Sequence, residues 1–175
     1  MAASSFPTTQ YTSEHFVESA GAVLFHISTQ RICLIHYKEK DEWLLAKGRR
    51  NCGETRRVAA VREMTEETGL QCRLLDVKLN TRAPPAESAA AIGDVARSIT
   101  TSDEPFMLTL RKTNDADMKL IWWYIAIVDE EAMASVPEEQ FTVGLFQYGE
   151  ALQKLTFEND RAVVRKAIEI VQASL

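Results

Sequence analysis

The sequence contains no Cys-x-x-Cys pair and no cysteine/histidine cluster, and its three cysteines, Cys33, Cys52 and Cys72, are odd in number and scattered. That distribution argues against a zinc site and predicts reduced thiols packed as small hydrophobes. Also missing is any run approaching the roughly 20 apolar residues needed to cross a bilayer. The opening MAASSFPTTQYTSEHF is Ser/Thr-rich and lacks the apolar stretch of a signal peptide. No membrane partner is therefore expected, and the expected location is cytoplasmic or nuclear, with secretion open if a leader has been removed. Internal repeats are absent too. What remains, 175 residues with 46% hydrophobic and 26% charged, suits a single domain around one core.

Charge is informative locally. On a chain of net charge −5, residues 31–62 carry nine Lys/Arg against four Asp/Glu. A basic patch on an acidic protein is selective, because the overall field repels long polyanions while the patch still attracts small ones.

Apolar runs at Val17 to Ile27 and Arg31 to Tyr37, separated by Ser28-Thr29-Gln30, read as strands, and Glu42 to Ala46 reads as a third. A helix capped by Thr55 runs to about Thr68 and is stopped by Gly69. Gln71 to Asn80, Pro105 to Lys112 and Met118 to Val128 return as strands, with a polar turn over residues 113–117. Thr156 is placed to cap a helical tail in which Val163, Val164, Ile168 and Val171 recur at helical spacing. Strands on both sides of a central helix indicate α/β layering. Residues 1–16 are expected to be a flexible segment and residues 17–175 the domain. Residues 82–105, rich in Ala, Ser, Thr and Pro with a weak helical signal around Glu87 to Ala96, are expected to be a mobile insertion.

Within the helix, Glu63, Glu66 and Glu67 fall on one narrow face at about 100° per residue, with Ala59 in its middle. Val58, Ala60, Val61, Met64, Thr65 and Thr68 form the opposite stripe, expected to pack on the sheet. Like charges three and four residues apart repel. Either arginines neutralise such a face, or hard divalent cations with oxygen ligands do. Arg62 lies one turn before Glu66 and can hold its carboxylate, and Glu54 can pair with Arg62.

Gly48, five residues, Glu54, seven residues, then Arg62-Glu63-Met64-Thr65-Glu66-Glu67-Thr68-Gly69-Leu70 matches the Nudix box, Gx5Ex7REUxEExGU with U aliphatic, at every fixed position. At residue frequencies of about 6%, seven identities coincide by chance at roughly one in 10^8 to 10^9 starting points. The chain thus resembles Nudix hydrolases over residues 17–173. The resemblance implies the Nudix fold, an α/β/α sandwich with a mixed central sheet. It further implies metal-dependent hydrolysis of a phosphoanhydride, with Mg²⁺ or Mn²⁺ held by Glu63, Glu66, Glu67 and the Gly48 carbonyl. Glu54 and Arg62 would order the loop and helix, so Glu63, Glu66, Glu67 and Arg62 form the expected catalytic set. Glu63 is the preferred base, and Glu138 or Glu139 is a candidate for a further carboxylate from outside the box, as in some relatives.

Substrate choice rests on finer signs. Trp43-Leu44-Leu45-Ala46-Lys47-Gly48 is similar to the Trp-x-x-Pro-Lys-Gly run of Nudix enzymes acting on diphosphoinositol polyphosphates and dinucleoside polyphosphates, with Ala46 in place of the proline. Lys38, Lys40, Lys47, Arg49, Arg50, Arg111 and Lys112 are the candidate substrate-binding bases, suited to a ligand carrying several phosphates. A diphosphoinositol polyphosphate is the favoured substrate, and a dinucleoside polyphosphate or ADP-ribose the alternative. For ADP-ribose the sign is Pro84-Pro85, near where its hydrolases carry a marker proline. RNA decapping, or a silent module that binds a phospho-ligand, comes third. The expected partner is a small polyphosphorylated substrate, and no nucleic acid is expected beyond an RNA cap. Trp122, Trp123 and Tyr124 are candidates to stack on a base, with at least one of them in the core. His26 and His36 are expected to pack, with His36 close enough to Lys38 to line a pocket.

Overall fold

Along Ser19 to Phe25 successive side chains enter two different cores, because a strand's residues alternate between its faces. Val23 and Phe25 join one cluster with Ile32, Leu34, Trp123, Val163 and Val164; Ala20, Ala22 and Leu24 join another with Cys33, Ile35, Ala59, Ala60 and Met64. This sheet buried on both faces sits between helices in a computed structural model that describes residues 5–85, 93–101, 104–113 and 117–174. The elements in chain order are β1 (Phe16–His26), β2 (Arg31–Tyr37), β3 (Glu42–Leu44), β4 (Lys47–Arg49), α1 (Arg56–Thr68), β5 (Cys72–Leu74), β6 (Val77–Thr81), β7 (Arg97–Thr101), β8 (Met107–Lys112), β9 (Met118–Val128), β10 (Phe141–Gln147), α2 (Tyr148–Lys154) and α3 (Glu158–Ser174).

The main sheet runs β10-β2-β1-β9-β5, with β3 on β2, β4 on β1 and β8 on β9. β1 and β9 are parallel over Phe16–Phe25 and Met118–Ile127, and the other pairings are antiparallel, so the sheet is mixed. β6 and β7 form a separate antiparallel pair. α1 covers one face and α2 with α3 the other, which is the α/β/α sandwich. No helix among the described residues is long and apolar enough to cross a membrane.

Three elements depart from the sequence expectation. Gln71 to Asn80 is two strands, broken at Leu75-Asp76, which lets β5 pair with β9 while β6 pairs with β7. β7 lies inside the segment expected to be a mobile insertion; its Arg-Ser-Ile-Thr-Thr alternates too weakly to read as a strand and is fixed by β6. β10 escaped notice because Gly144 interrupts a short apolar run, yet seven register pairs bind it to β2. The helical signal near Glu87 falls largely on residues outside those described. Thr156 accepts the Trp43 N–H through its hydroxyl, and α3 begins two residues later. All three cysteines are free, but only Cys33 is buried; Cys72 is half-buried and Cys52 exposed, because Cys52 stands in the loop before α1.

Candidate active site

α1 begins where the Thr55 hydroxyl accepts the Val58 N–H and ends at Gly69, whose φ of 70° is left-handed. Its buried residues are Ala59, Ala60, Glu63, Met64, Glu67 and Thr68. This corrects the expected stripe: Val58 is 54% exposed, whereas Ala59, assigned to the acidic face, is completely buried. The reason is steric. Ala20, Ala22, Ala46, Ala59 and Ala60 bring helix and sheet close together, so two of the three glutamates turn inwards against β4 instead of into solvent.

One guanidinium organises the loop and the helix. Arg62 donates through Nε and Nη2 to the two Glu54 oxygens at 2.8 and 2.9 Å, through Nη2 to the Arg49 carbonyl at 2.9 Å, and through Nη1 to Glu63 Oε1 at 2.7 Å and Glu66 Oε2 at 2.8 Å. Glu54 also accepts the Asn51 N–H. The Arg62 bonds hold the Glu54 carboxyl down to about 2, and burial only partly opposes them. Across the sheet, Glu18 accepts Arg50 Nε, Arg56 and Trp122 Nε1. Burial raises Glu18, but these donors prevail and hold it below the ordinary carboxylate range.

Glu63 and Glu67 behave oppositely. Burial pushes Glu67 up to about 7, against the Lys47 charge and the Lys47 N–H, which Glu67 Oε2 accepts at 2.8 Å. Glu63 is raised by burial too, despite its bond from Arg62, and Glu138 adds like charge to both. Glu138 arrives by way of Gly69. Ser135 N–H donates to the Gly69 carbonyl, a Cβ at Gly69 would stand 2.2 Å from the Ser135 carbonyl oxygen, and Glu138 N–H then donates to the Glu66 carbonyl at 3.0 Å. Gly48 has the same tight fit on the other side, since a Cβ there would stand 1.8 Å from Glu63 Oε2.

Among the described residues, no three Asp, Glu, His or Cys side chains converge closely enough to hold an ion. Arg62 Nη1 lies between Glu63 and Glu66, and Glu67 turns to the Lys47 amide, so each carboxylate is already compensated. The donor set nevertheless suits a hard cation: the Glu63 carboxylate lies against Gly48, Glu66 and Glu138 are near enough to add like charge to it, and Glu67 is coupled to Glu63 and Glu138, with no nitrogen or sulfur ligand among them.

The expected bases separate into groups. Lys47, Arg49 and Arg111 come together, and Lys119, which the sequence reading missed, lies among them. Arg50 does not join them, because it is bound to Glu18 and to the Asn51 and Glu54 carbonyls. Lys38 donates to the Glu139 carbonyl, and Lys40 stands in the exposed turn between β2 and β3. Lys112 lies on the other face of β8, beside Tyr11 and Phe16. Asp160, also missed, is buried at the start of α3 near Lys47 and Arg111. A lysine or aspartate inside an otherwise apolar pattern, as in Met-Lys-Leu-Ile-Trp-Trp, was the available signal. Of the aromatic candidates, Trp123 is core and donates to Thr109, Tyr124 is buried, and Trp122 carries the Arg56 guanidinium 4.1 Å from its ring centre. His36 stacks on Trp43 and pairs with Asp41, and His26 bonds Ser28 and Thr29.

The NUDIX domain family matches residues 15–166. An 8-oxo-(d)GTP phosphatase of Mycolicibacterium smegmatis is 43% identical over 68 residues, 33% of this chain and 21% of that protein, so the chain spans about a fifth of that relative's length. Among solved structures, a C. elegans Ap4A hydrolase in binary complex superimposes with a TM-score of 0.63 at 14% identity, over 90% of this chain and 98% of the other. A NUDIX hydrolase from Nitrosomonas europaea gives 0.58 at 14% identity, over 90% and 88%. These likenesses show the fold.

Proposed function

The chain belongs to the NUDIX domain family, and we propose that it is a pyrophosphohydrolase of phosphoanhydrides whose substrate is a linear polyphosphate of the dinucleoside polyphosphate kind. The observation that carries this reading is the arrangement of the bases. Lys47, Arg49, Arg111 and Lys119 form one group beside Glu67, while Arg50 and Lys38 are tied to protein acceptors. A row of cations along one edge of the acidic centre suits a chain of phosphates. A ligand phosphorylated around a ring would need cations on several sides. The fold likeness to an Ap4A hydrolase leans the same way. Diphosphoinositol polyphosphate is the second reading, favoured by the density of cations near Gly48. ADP-ribose has only the Pro84-Pro85 pair in its favour, and RNA decapping nothing beyond the family.

Nudix hydrolases generally use a divalent metal such as Mg²⁺. Glu63, Glu66, Glu67 and the Gly48 carbonyl would hold it here, with Glu138 beside them. Once bound, such an ion neutralises charge developing at the anhydride and makes bound water more acidic. The chain's own residues do the rest. Arg62 and Glu54 fix the loop so that Gly48 and Glu63 stay in register. The Lys47 amide orients Glu67. Glu63 is our choice to accept a proton from water, since burial and Glu138 raise its basicity.

The test is a panel of kcat/KM values for diadenosine polyphosphates, diphosphoinositol polyphosphate, ADP-ribose, nucleoside triphosphates and capped RNA at fixed salt and Mg²⁺. The diadenosine compounds should lead. A lead for ADP-ribose or for the inositol compound would overturn the linear-polyphosphate reading.

A further inference from the structure

β9 carries Lys119 in register with Val17 of β1 and Arg111 of β8, on the face that also bears Ile121 and Trp123. β4 sets Lys47 and Arg49 opposite Gly21 and Ser19 of β1, on that same face. Four cations from three strands therefore meet on the α3 side of the sheet, where Glu67, reaching the β4 backbone from the α1 side, is coupled to Lys47 and Lys119. Lys47 and Lys119 are half-buried and Arg49 and Arg111 exposed, which gives the cluster depth as well as width. The Lys47 N–H donates to Glu67 and the Arg49 carbonyl accepts from Arg62, but among the described residues the charged end of none of the four makes a hydrogen bond or ion pair. Burial and the neighbouring Lys47, Arg111 and Arg49 charges hold Lys119 below its ordinary basicity, with Glu67 opposing them weakly. Asp160 lies near Lys47 and Arg111, but it is itself buried, raised above its ordinary range, and occupied by the Leu45 N–H.

A second observation marks the same place. Ser19 is completely buried, and its hydroxyl has no hydrogen-bond partner among the described residues. Its register neighbours are Arg49 and Ile121, so it sits on the sheet at the cations' feet, on their face. Like charges brought together with no carboxylate bonded to their charged ends among the described residues, over an unsatisfied hydroxyl, are costly unless an anion with several acceptor oxygens joins them.

We propose that Lys119, Lys47, Arg111 and Arg49 form a phosphate subsite, floored by Ser19, that takes a phosphoryl group beyond the scissile anhydride and so selects substrates with three or more phosphates in line. The proposal rests on the linear-polyphosphate reading above and gives it named residues. Lys47 connects the two halves: its amide orients Glu67 in the acidic centre while its ammonium belongs to the basic group. A diphosphate held at the acidic centre ends before the subsite, but a triphosphate or longer chain fills both.

The experiment compares the parent protein with Lys119→Gln, Lys119→Arg and, as a control on the outer side of α3, Lys166→Gln. Binding of inorganic tripolyphosphate is measured by calorimetry without divalent metal at fixed ionic strength, and KM for diadenosine tetraphosphate and for ADP-ribose is measured with Mg²⁺. Lys119→Gln should weaken tripolyphosphate about tenfold or more and raise KM for the tetraphosphate by a similar factor, leaving KM for ADP-ribose within about twofold. Lys119→Arg should restore most of both, and Lys166→Gln should change neither. Melting of Lys119→Gln should not fall, because a repelled charge has been removed; were that variant not to fold, exposed Arg111→Gln replaces it. Tripolyphosphate binding and tetraphosphate KM unmoved by Lys119→Gln would overturn the subsite while leaving the function standing. Lys119-dependent tripolyphosphate binding in a protein that hydrolyses no linear polyphosphate would overturn the function while leaving the subsite standing.

Discussion

Replacing Arg62 by Met keeps most of the aliphatic stem and deletes one guanidinium that makes five hydrogen bonds, to Glu54, Glu63, Glu66 and the Arg49 carbonyl. Breaking a well-buried ion pair by removing one partner costs about 3–5 kcal/mol. Here the Arg62 side chain is 26% exposed and Glu66 45% exposed, so water recovers part of that loss. About 3 kcal/mol is the reasonable expectation without metal, or a melting temperature lower by ~6–12 °C for a chain of this size. In the parent, Mg²⁺ competes with Arg62 for Glu63 and Glu66, whereas in Arg62→Met the same carboxylates repel one another with nothing between them. Saturating Mg²⁺, worth about 2.7 kcal/mol at a hundredfold excess over Kd, should thus raise the melting temperature of the variant more than that of the parent. Arg62→Lys should recover only part, since an ammonium cannot fork to both Glu54 oxygens while reaching Glu63 and Glu66. Differential scanning fluorimetry with and without Mg²⁺ reads all of this. A variant melting within about 2 °C of the parent, or lifted equally by Mg²⁺, would refute the account of Arg62 as the metal-free counter-ion.

Gly48→Ala places a Cβ 1.8 Å from Glu63 Oε2 and must displace that carboxylate; turnover should drop roughly a hundredfold or more with little change in melting, and normal kinetics would show that Glu63 works elsewhere. Glu67→Gln keeps an acceptor for the Lys47 N–H and removes a buried charge whose carboxyl is raised to about 7, so without metal at pH 8 the variant should melt no lower than the parent, while turnover with Mg²⁺ falls about a hundredfold or more. A variant that melts lower yet turns over normally would contradict both halves. Glu54 titrates at about 2 when folded, below its unfolded value, so its contribution is present above about pH 4.5 and is lost as pH falls towards 2. Melting temperatures across that window should fall more steeply for the parent than for Glu54→Gln, and parallel curves would mean that Glu54 is not held by Arg62.

The order of strands and the central helix was legible because their signals are local. The nearly continuous apolar runs of β1 and β9, the Thr55 cap and the Gly69 stop are each read within a few residues. What was not legible depends on partners distant in sequence. β7 and β10 are strands because β6 and β2 offer them hydrogen bonds, and nothing inside Arg-Ser-Ile-Thr-Thr or Phe-Thr-Val-Gly-Leu-Phe-Gln compels that choice. The face of α1 was misjudged for a related reason. A helical wheel ranks residues by polarity, but the alanines of β1 and α1 let the helix approach so closely that Glu63 and Glu67 are enclosed and Val58 is left outside.

Arg49 and Arg50 show most clearly what the sequence withholds. As neighbours of the same type beside the same glycine, they could not be told apart from composition or spacing, and both were assigned to the substrate. Register separates them. Arg49 pairs with Ser19 on the α3 face, near Lys119, whereas Arg50 follows the chain to the α1 face, where Glu18 holds it with Arg56 and Trp122. A period of two sends adjacent side chains to opposite sides of a sheet. One arginine therefore helps to build the basic group while the other anchors the loop that presents Gly48, and exchanging their surroundings by a one-residue slip would lose both at once.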